Sequence, residues 1–572
     1  MHRCWILYLS ATLWPIFDLL FILRCATTSK WEKYVDWQNI SFADLAQDDY
    51  PNAGAVILLD EGDLDINNRD NFAYSTLTRH RIIKIFNRRG QKYANVTIPY
   101  SSSTTISDIF ARTIGPDGRI IPLRSDDIYD ITLYPGFIFY SDVRAKRFTL
   151  PGVEDDCIIE YKWKQTVPNF TYWDRWTFQN DSPTRVSRYK VVAPSEWKLK
   201  SKPFGIDIQP QTQNLPAGFK QTYLWEAQDI PAFEYEAMMP PAGKYVQSIL
   251  FSPIGMETWG KIENWYLELL GKRHQPTEKI RQFTDQLVSG CTTPLSKLHK
   301  IYDFVRDNIR YVAISIGVGG YQPNFSENIL QKRFGDCKDK ATLLAAMAAS
   351  QNIAVDLVLI STAQNGDVDT SIVSHVQFNH VIAKATMNDT TIWMDATEEF
   401  CPFGELPWYD TNRLVLVVNR ENAQLWYRTP PHSLKKNTVR RTWNVNFQDG
   451  LPRSGSLEAV FAGAPALELR KFMVELSPKY IRDYWQKEIF TRFAHCSMDT
   501  MIYSDIHSEE PFSFKILFSI ATGNDTNNIG AFSLSFFTSF HLHSIFIQPQ
   551  RTYPIEFSFP YRSHDEIQFT FS

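Results

Sequence analysis

The spacing of apolar residues changes twice along this chain, and those changes limit the architectures open to it. From about Trp31 to Tyr245 the segments RHRIIKIFN, ANVTIPY, DIFARTIGPDGRIIPL, CIIEYKWKQ and SRYKVVA alternate or cluster β-branched and aromatic residues, with turn signals such as PDG and RRG between them. That pattern predicts antiparallel sheets packed as a sandwich. Between Met256 and Arg310 the period lengthens: Ile280, Phe283 and Leu287, then Leu298, Ile301, Tyr302, Val305 and Ile309, recur at steps of three and four. At least two amphipathic helices follow from it.

Past these helices come a strand-like YVAISI, a loop GVGGYQPNFSENILQKRFGD, a helix through KDKATLLAAMAAS, and strands VDLVLIS, FNHVIAKATM and TIWMDAT. Helices followed by an antiparallel sheet make an α+β unit, here ending near Val418. Beyond Thr429 the β pattern returns in NTVRRTWNVNF, FSFKILFSI, AFSLSFF and HSIFIQP, broken by one helical insertion between Pro465 and Phe493. The predicted fold class is multidomain α+β: an antiparallel β-sandwich domain over 31–245, an α+β core over 256–425 and a C-terminal β-rich module over 430–572, behind a separate segment at 1–27. A length of 572 residues suits three or four domains.

The first segment places His2 and Arg3 ahead of an apolar stretch from about Trp5 to Leu23, interrupted by Pro15 and Asp18. It reads as a signal peptide or a single membrane anchor, cleavable after Thr27 or open to lipidation at Cys25, and it directs the chain out of the cytoplasm. With 59 basic and 63 acidic residues the net charge is −4, so nothing in the balance asks for nucleic acid as a partner. Of seven cysteines, five remain once the first 27 residues are set aside, and pairing among five leaves at least one free thiol. The absence of any CxxC argues against a structural zinc site or a thioredoxin-type redox motif.

One of those cysteines stands at a telling place, in GDCKDKATLL at 335–344. Gly335 permits a tight turn, Asp336 can cap a helix, and Cys337 falls in the first turn, where the helix dipole favours thiolate over thiol. Lys338 and Lys340 add positive charge, while Asp336 and Asp339 oppose it. Downstream, FNHVIAKATM and TIWMDAT are separated by Asn388 and Asp389 and should form a hairpin. A two-residue turn sets Met387 opposite Thr390 and His380 opposite Thr397, with Asp395 diagonal to His380 at about 7–8 Å on the same face. A four-residue loop would keep the pair on one face but farther apart, and a three-residue loop would separate them unless a bulge intervened. Cysteine, imidazole and carboxylate in that order supply nucleophile, base and orienting acid for thiol acyl transfer. His375 is an alternative base, and Asn379 can shape the site beside His380 without reacting. Trp393 reads as core, and His541 and His543 as a solvated or packed strand face. A metal site built from Cys337, His380 and Asp395 would lack the fourth ligand of a closed zinc centre, so no metal is expected.

The motif GDCKDKA, then FNHVIA, then WMDAT, in that order and on those elements, resembles the bacterial branch of the transglutaminase-like superfamily over about Pro276 to Val418. RHRIIKIFN, TIGPDGRIIPL and CIIEYKWKQ resemble the β-sandwich domain of unknown function that precedes such cores in exported bacterial proteins, although Asp156 and Cys157 stand where a Gly-Ser pair is commoner. The resemblance implies a papain-like, transglutaminase-like core in which Cys337 is the nucleophile, His380 the general base and acid, and Asp395 the orienting acid. The Cys337 amide and Gln322 would hold the oxyanion. It implies a cysteine hydrolase or acyltransferase without cofactor, acting on a protein or peptide in the periplasm or from a membrane anchor facing it. The alternative is a non-catalytic interaction protein that uses the same fold and its flanking β domains as a scaffold.

Overall fold

The computed structural model of the protein describes residues 45–572 apart from 70–71, 102–103, 134–139, 142–143, 168–174, 216–218, 316–319, 420–423, 491–495, 510 and 522–549. The segment at 1–27 with Cys4 and Cys25, and the stretches AFSLSFF and HSIFIQP with His541 and His543, lie outside the described residues. Of residues 1–51, which form a unit of their own, the described part holds a 3-10 turn at Gln47–Asp49.

Eight strands of the N-terminal region make one sheet, in the order Gln211–Asn214, Lys220–Ile230, Thr184–Pro194, Ala55–Arg69, Phe72–Ile85, Ile158–Val167, Thr105–Ile114 and Ile120–Pro122. Neighbours run antiparallel except Ala55–Arg69 and Thr184–Pro194, which are parallel: the chain lays down the four strands on one side of Ala55–Arg69 before Thr184–Pro194 returns to its other side. Two three-stranded sheets face it. The one containing Ser248–Phe251 closes on Leu64, Tyr189, Val191 and Trp225, and the one containing Asn95–Tyr100 closes on Ile57, Ile83, Ile159 and Tyr161. The sandwich therefore has two separate apolar cores along one large sheet.

The middle of the chain forms helices α1 (Trp259–Leu270), α2 (Glu278–Leu287), α3 (Pro294–Asn308), α4 (Ser326–Lys332) and α5 (Cys337–Ser350). Each of α1, α2 and α3 starts on a threonine whose hydroxyl accepts from the N3 amide: Thr258, Thr277 and Thr293. The expected loop over 317–336 contains α4, a helix of seven residues too short to display a period, held by burial of Ile329 and Leu330 against its neighbours. YVAISI is not one strand either. Arg310–Tyr311 pairs with Phe334–Gly335, and Ile314–Ser315 pairs with Tyr140–Ser141, so two short stretches serve two different partners.

A five-stranded antiparallel sheet follows, ordered Thr390–Met394, His380–Met387, Val355–Ile360, Leu414–Val418 and Trp426–Arg428. Helix α5 lies between two apolar clusters. Leu343, Leu344, Met347 and Ala348 pack with α2, α3 and α4, while Ala341 and Ala345 pack with α1 and the sheet. It is buried nearly all round, as a central helix is.

The C-terminal region is a second five-stranded sheet, ordered Cys496–Tyr503, Phe512–Ile520, Leu451–Ala462, Thr438–Gln448 and Arg562–Phe571, whose last pair is parallel. The expected helical insertion is a pair, α6 (Ala464–Val474) and α7 (Pro478–Phe490). Among the described residues no helix is long and apolar enough to cross a membrane.

Candidate active site

The helix-start motif is explained residue by residue in the structure. Asp336 is the N-cap of α5: its Oδ1 accepts from the Asp339 amide at 3.2 Å, and the Asp339 carboxylate accepts from the Asp336 amide at 3.4 Å, a reciprocal capping box. Asp339 also accepts from the backbone and side-chain amides of Asn324, at 2.7 and 3.1 Å, which fastens the loop ahead of α4 to α5. Gly335 is needed for room rather than for an unusual backbone angle, since a Cβ there would stand 2.6 Å from Cβ of Asp339. The two lysines do not crowd the thiol with free charge. Lys338 is buried against Asp336, and Lys340 donates to the carbonyls of Ile309 (2.6 Å) and Arg306 (3.2 Å), closing the end of α3. Burial pulls the Lys340 ammonium down to about 8 and, working against Lys338, pushes the Asp336 carboxyl up to about 6.

Cys337 follows as the first residue of α5 and is partly exposed. The other described cysteines are likewise free of disulfides, and burial raises the thiols of Cys157, Cys401 and Cys496, the last to about 11. Tyr311 stands at the rim of the site, 45% exposed, and burial together with the Cys337 and Asp336 charges raises its phenol.

The hairpin closes with a two-residue turn at Asn388 and Asp389, both at positive φ (46° and 62°), and pairs Met387 with Thr390 and Ala383 with Met394. This is the expected register. The ladder stops at Met394, and Asp395 turns back toward His380 so that Oδ2 lies 3.2 Å from Nε2. The Cys337 side chain is among the neighbours that raise the His380 imidazolium, so thiol and ring lie close together. Burial by itself would lower the imidazolium; the Asp395 charge and hydrogen bond, with Cys337 adding to them, outweigh it and hold His380 well above its ordinary value. For Asp395 the balance runs the other way. Burial would raise it, but His380 and two hydrogen bonds from Thr397, backbone amide at 2.9 Å and hydroxyl at 2.7 Å, keep it below the usual carboxylate range. The buried Tyr302 of α3 donates to the backbone carbonyls of Asp395 (3.1 Å) and Cys401 (2.9 Å), which fixes the loop carrying the acid.

The remaining sequence candidates are placed as follows. Asn379 exchanges hydrogen bonds with Thr362, Oδ1 accepting from its amide at 2.9 Å and Nδ2 donating to its hydroxyl at 3.0 Å, so it pins the start of the His380 strand. Gln322 donates to the Leu269 carbonyl at the end of α1, at 3.3 Å. His375 is packed between Trp265 and Tyr321, and burial lowers its imidazolium to about 4, a setting that fits a core residue better than a base. Trp393 is core, at 6% exposure. Roles at the site for Tyr302, for Thr397 and for a further acid, Asp410, whose Oδ2 lies 3.9 Å from His380 Nε2, were not read from the sequence. Thr397 could have been noticed two residues from Asp395, but Asp410 is joined to the site only through an irregular loop.

Two stretches of the chain match known domain families. Residues 281–397 match the model of the transglutaminase-like superfamily, and residues 74–234 match DUF3857, a domain of unknown function with a solved structure. No curated protein matches the chain. The crystal structure of "a putative protease" from Parabacteroides distasonis superposes with a TM-score of 0.57 at 14% identity, covering 82% of this chain and 94% of that one, and so shares the fold. The structure of "a putative cysteine protease" from Cytophaga hutchinsonii aligns over 58% of this chain and 78% of that one at 12% identity, with a TM-score of 0.18 that is too low to bear on the fold. The chain thus carries a transglutaminase-like core behind a DUF3857 domain, and that core supports thiol-dependent catalysis in general.

Proposed function

We propose that this transglutaminase-like chain is a cysteine hydrolase of peptide or amide bonds, working outside the cytoplasm through Cys337, His380 and Asp395. The observation that carries the reading is His380 itself, which lies 3.2 Å from a sealed carboxylate and close to a partly exposed thiol at the start of α5. With His380 holding the thiol proton, the Cys337 sulfur attacks the substrate carbonyl carbon, and the carbonyl oxygen takes up the electron pair. The Cys337 amide, one of the first-turn groups of α5 with no intrahelical acceptor, faces that oxygen. Gln322 keeps one side-chain N–H on Leu269 and offers its second to the same oxygen. Collapse of the adduct breaks the C–N bond as His380 protonates the departing amine, leaving a thioester on Cys337. Water then gives its proton to His380 and attacks the thioester, releasing the acid and the thiol; a primary amine in place of water would complete a transamidation. Asp395 stays ionised throughout and keeps the ring facing the sulfur. The apolar stretch in residues 5–23 supports export, with the protein either released in the periplasm or anchored to face it.

The test is turnover of a denatured-protein mixture and of a fluorescent primary amine offered to it, by the full chain and by Cys337→Ala, His380→Ala and Asp395→Asn. Peptide release is expected in the parent, none above background in the first two variants, and a loss of about 10³–10⁴-fold in Asp395→Asn. Amine incorporation without peptide release would reassign the enzyme to transamidation. No thiol-dependent turnover of either kind, with a Cys337 that alkylates like an ordinary thiol, would sink the catalytic reading in favour of a binding scaffold.

A further inference from the structure

Asp410 closes the short turn Trp408–Asp410 and is sealed from solvent. Polar atoms of His380, Asp395 and Asp410 lie within 4.8 Å of one another, and Asp410 Oδ2 is 3.9 Å from His380 Nε2. Neither Asp410 oxygen meets a hydrogen-bond donor among the described residues.

The charged groups around it leave Asp410 no cation of its own. His380 approaches from the start of its strand, but its Nε2 is nearer Asp395, at 3.2 Å against 3.9 Å. Arg413 ahead of the next strand donates to the carbonyls of Ser361 (2.9 Å) and Gly366 and pairs with Asp367 (3.0 Å). On the same turn Tyr409 donates to Glu398 at 3.0 Å, and Lys471 of α6 pairs with Glu398 at 2.8 Å. Cys401, the remaining titratable neighbour, is buried with its thiol raised. One imidazolium balances one carboxylate, and a second ionised carboxylate in the same dry space would be repelled by the first. Burial and the Asp395 charge accordingly push the Asp410 carboxyl well up, against the opposing pull of His380 and Arg413.

We infer that Asp410 is a positioning residue of this site: it keeps its proton and donates its O–H to Asp395, fixing the carboxylate that orients His380. The inference rests on the Cys337–His380–Asp395 reading and adds a fourth member to it. Asp395 is then held from both sides, by the amide and hydroxyl of Thr397 on Oδ1 and by Asp410 and His380 on the rest of the carboxylate. The loop from Asp395 to Asp410 becomes a closed hydrogen-bonded circuit through its two acids.

Two measurements on the full chain test it, with Asp410→Asn and Asp410→Ala as variants. The first is the rate of Cys337 alkylation by iodoacetamide at pH 6, located by peptide mapping, with the parent and His380→Ala as references. An amide can replace the carboxylic O–H as a donor, so Asp410→Asn should stay within about threefold of the parent, while Asp410→Ala should fall about tenfold. Equal losses in both variants, or none in either, would overturn the inference. The second is the NMR titration of the His380 ring. In Asp410→Asn it should stay within about half a pH unit of the parent, whereas removal of a real negative charge 3.9 Å from Nε2 would lower it by about one unit or more and refute a protonated Asp410. If the parent thiol is ordinary and indifferent to His380→Ala, the catalytic reading fails on the first measurement, and the NMR titration still decides whether Asp410 holds its proton. Circular dichroism of both variants identifies any that has lost the fold.

Discussion

At the scale of single residues the site is a problem in sharing one positive charge among buried acids. His380 takes up its proton more readily folded than unfolded, so its stabilising contribution is complete below pH about 6.5 and is lost as pH climbs through the raised value. Asp395, whose carboxyl is depressed, contributes above pH about 4 and loses that contribution only in strong acid. The expected outcome is that the stability of the parent relative to His380→Gln shrinks between pH 6 and 9, by at most about 1.4 kcal/mol per pH unit, in urea unfolding followed by tryptophan fluorescence. A constant difference across that range would contradict a raised His380. What could be read from the sequence at this scale was the pairing of His380 with Asp395, because a regular ladder lets positions be counted across a two-residue turn. Asp410 could not be read, because no ladder or helix turn links its position to His380.

At the scale of elements, two pieces of secondary structure place the reacting groups, and each is set by a few residues. The hairpin depends on Asn388 and Asp389, which adopt the left-handed region that their short polar side chains tolerate. Asp389→Val should cost about 1–2 kcal/mol, and Asp389→Gly should be neutral or gain a few tenths, both measured as shifts in urea midpoint. A neutral valine would mean that the turn is not held in this form. The other element is α5, whose capping box was half visible: Asp336 could be recognised as a cap, but the reciprocal role of Asp339 and the demand it places on Gly335 required the three-dimensional contact. Helix α4 escaped detection for a related reason, since two buried apolar residues in seven positions carry no measurable period. The division into β-rich, α+β and β-rich regions was legible because many residues contribute to each pattern. The one parallel pair in the large N-terminal sheet was not, since hydrophobic alternation is the same for either strand direction.

At the scale of the molecule, the flanking regions hold the loops next to the site. From the N-terminal side Lys244 pairs with Asp367 at 2.7 Å and Lys202 donates to Ser371 at 2.7 Å, steadying the loop between the strand Val355–Ile360 and His380. From the C-terminal side Trp408 donates to Glu468 of α6 at 2.9 Å, and Lys471 of the same helix pairs with Glu398, holding the loop that carries Asp395 and Asp410. Glu398 is buried while Lys471 is 41% exposed, so solvent offsets part of the loss when the lysine is removed. Lys471→Ala should therefore destabilise by about 1–2 kcal/mol and slow Cys337 alkylation at pH 6 by a few-fold; an unchanged alkylation rate would show that α6 supports the fold alone. The burial of α5 on nearly every face has a further consequence for the thiol at its tip. A nucleophile on a surface loop can be lost to local fraying while the rest of a protein stays intact, but Cys337 begins a helix packed into the core. On the Cys337–His380–Asp395 reading, its reactivity at pH 6 and the integrity of the whole helical layer should vanish together on heating, so a label at this one sulfur counts folded molecules as faithfully as it counts active ones.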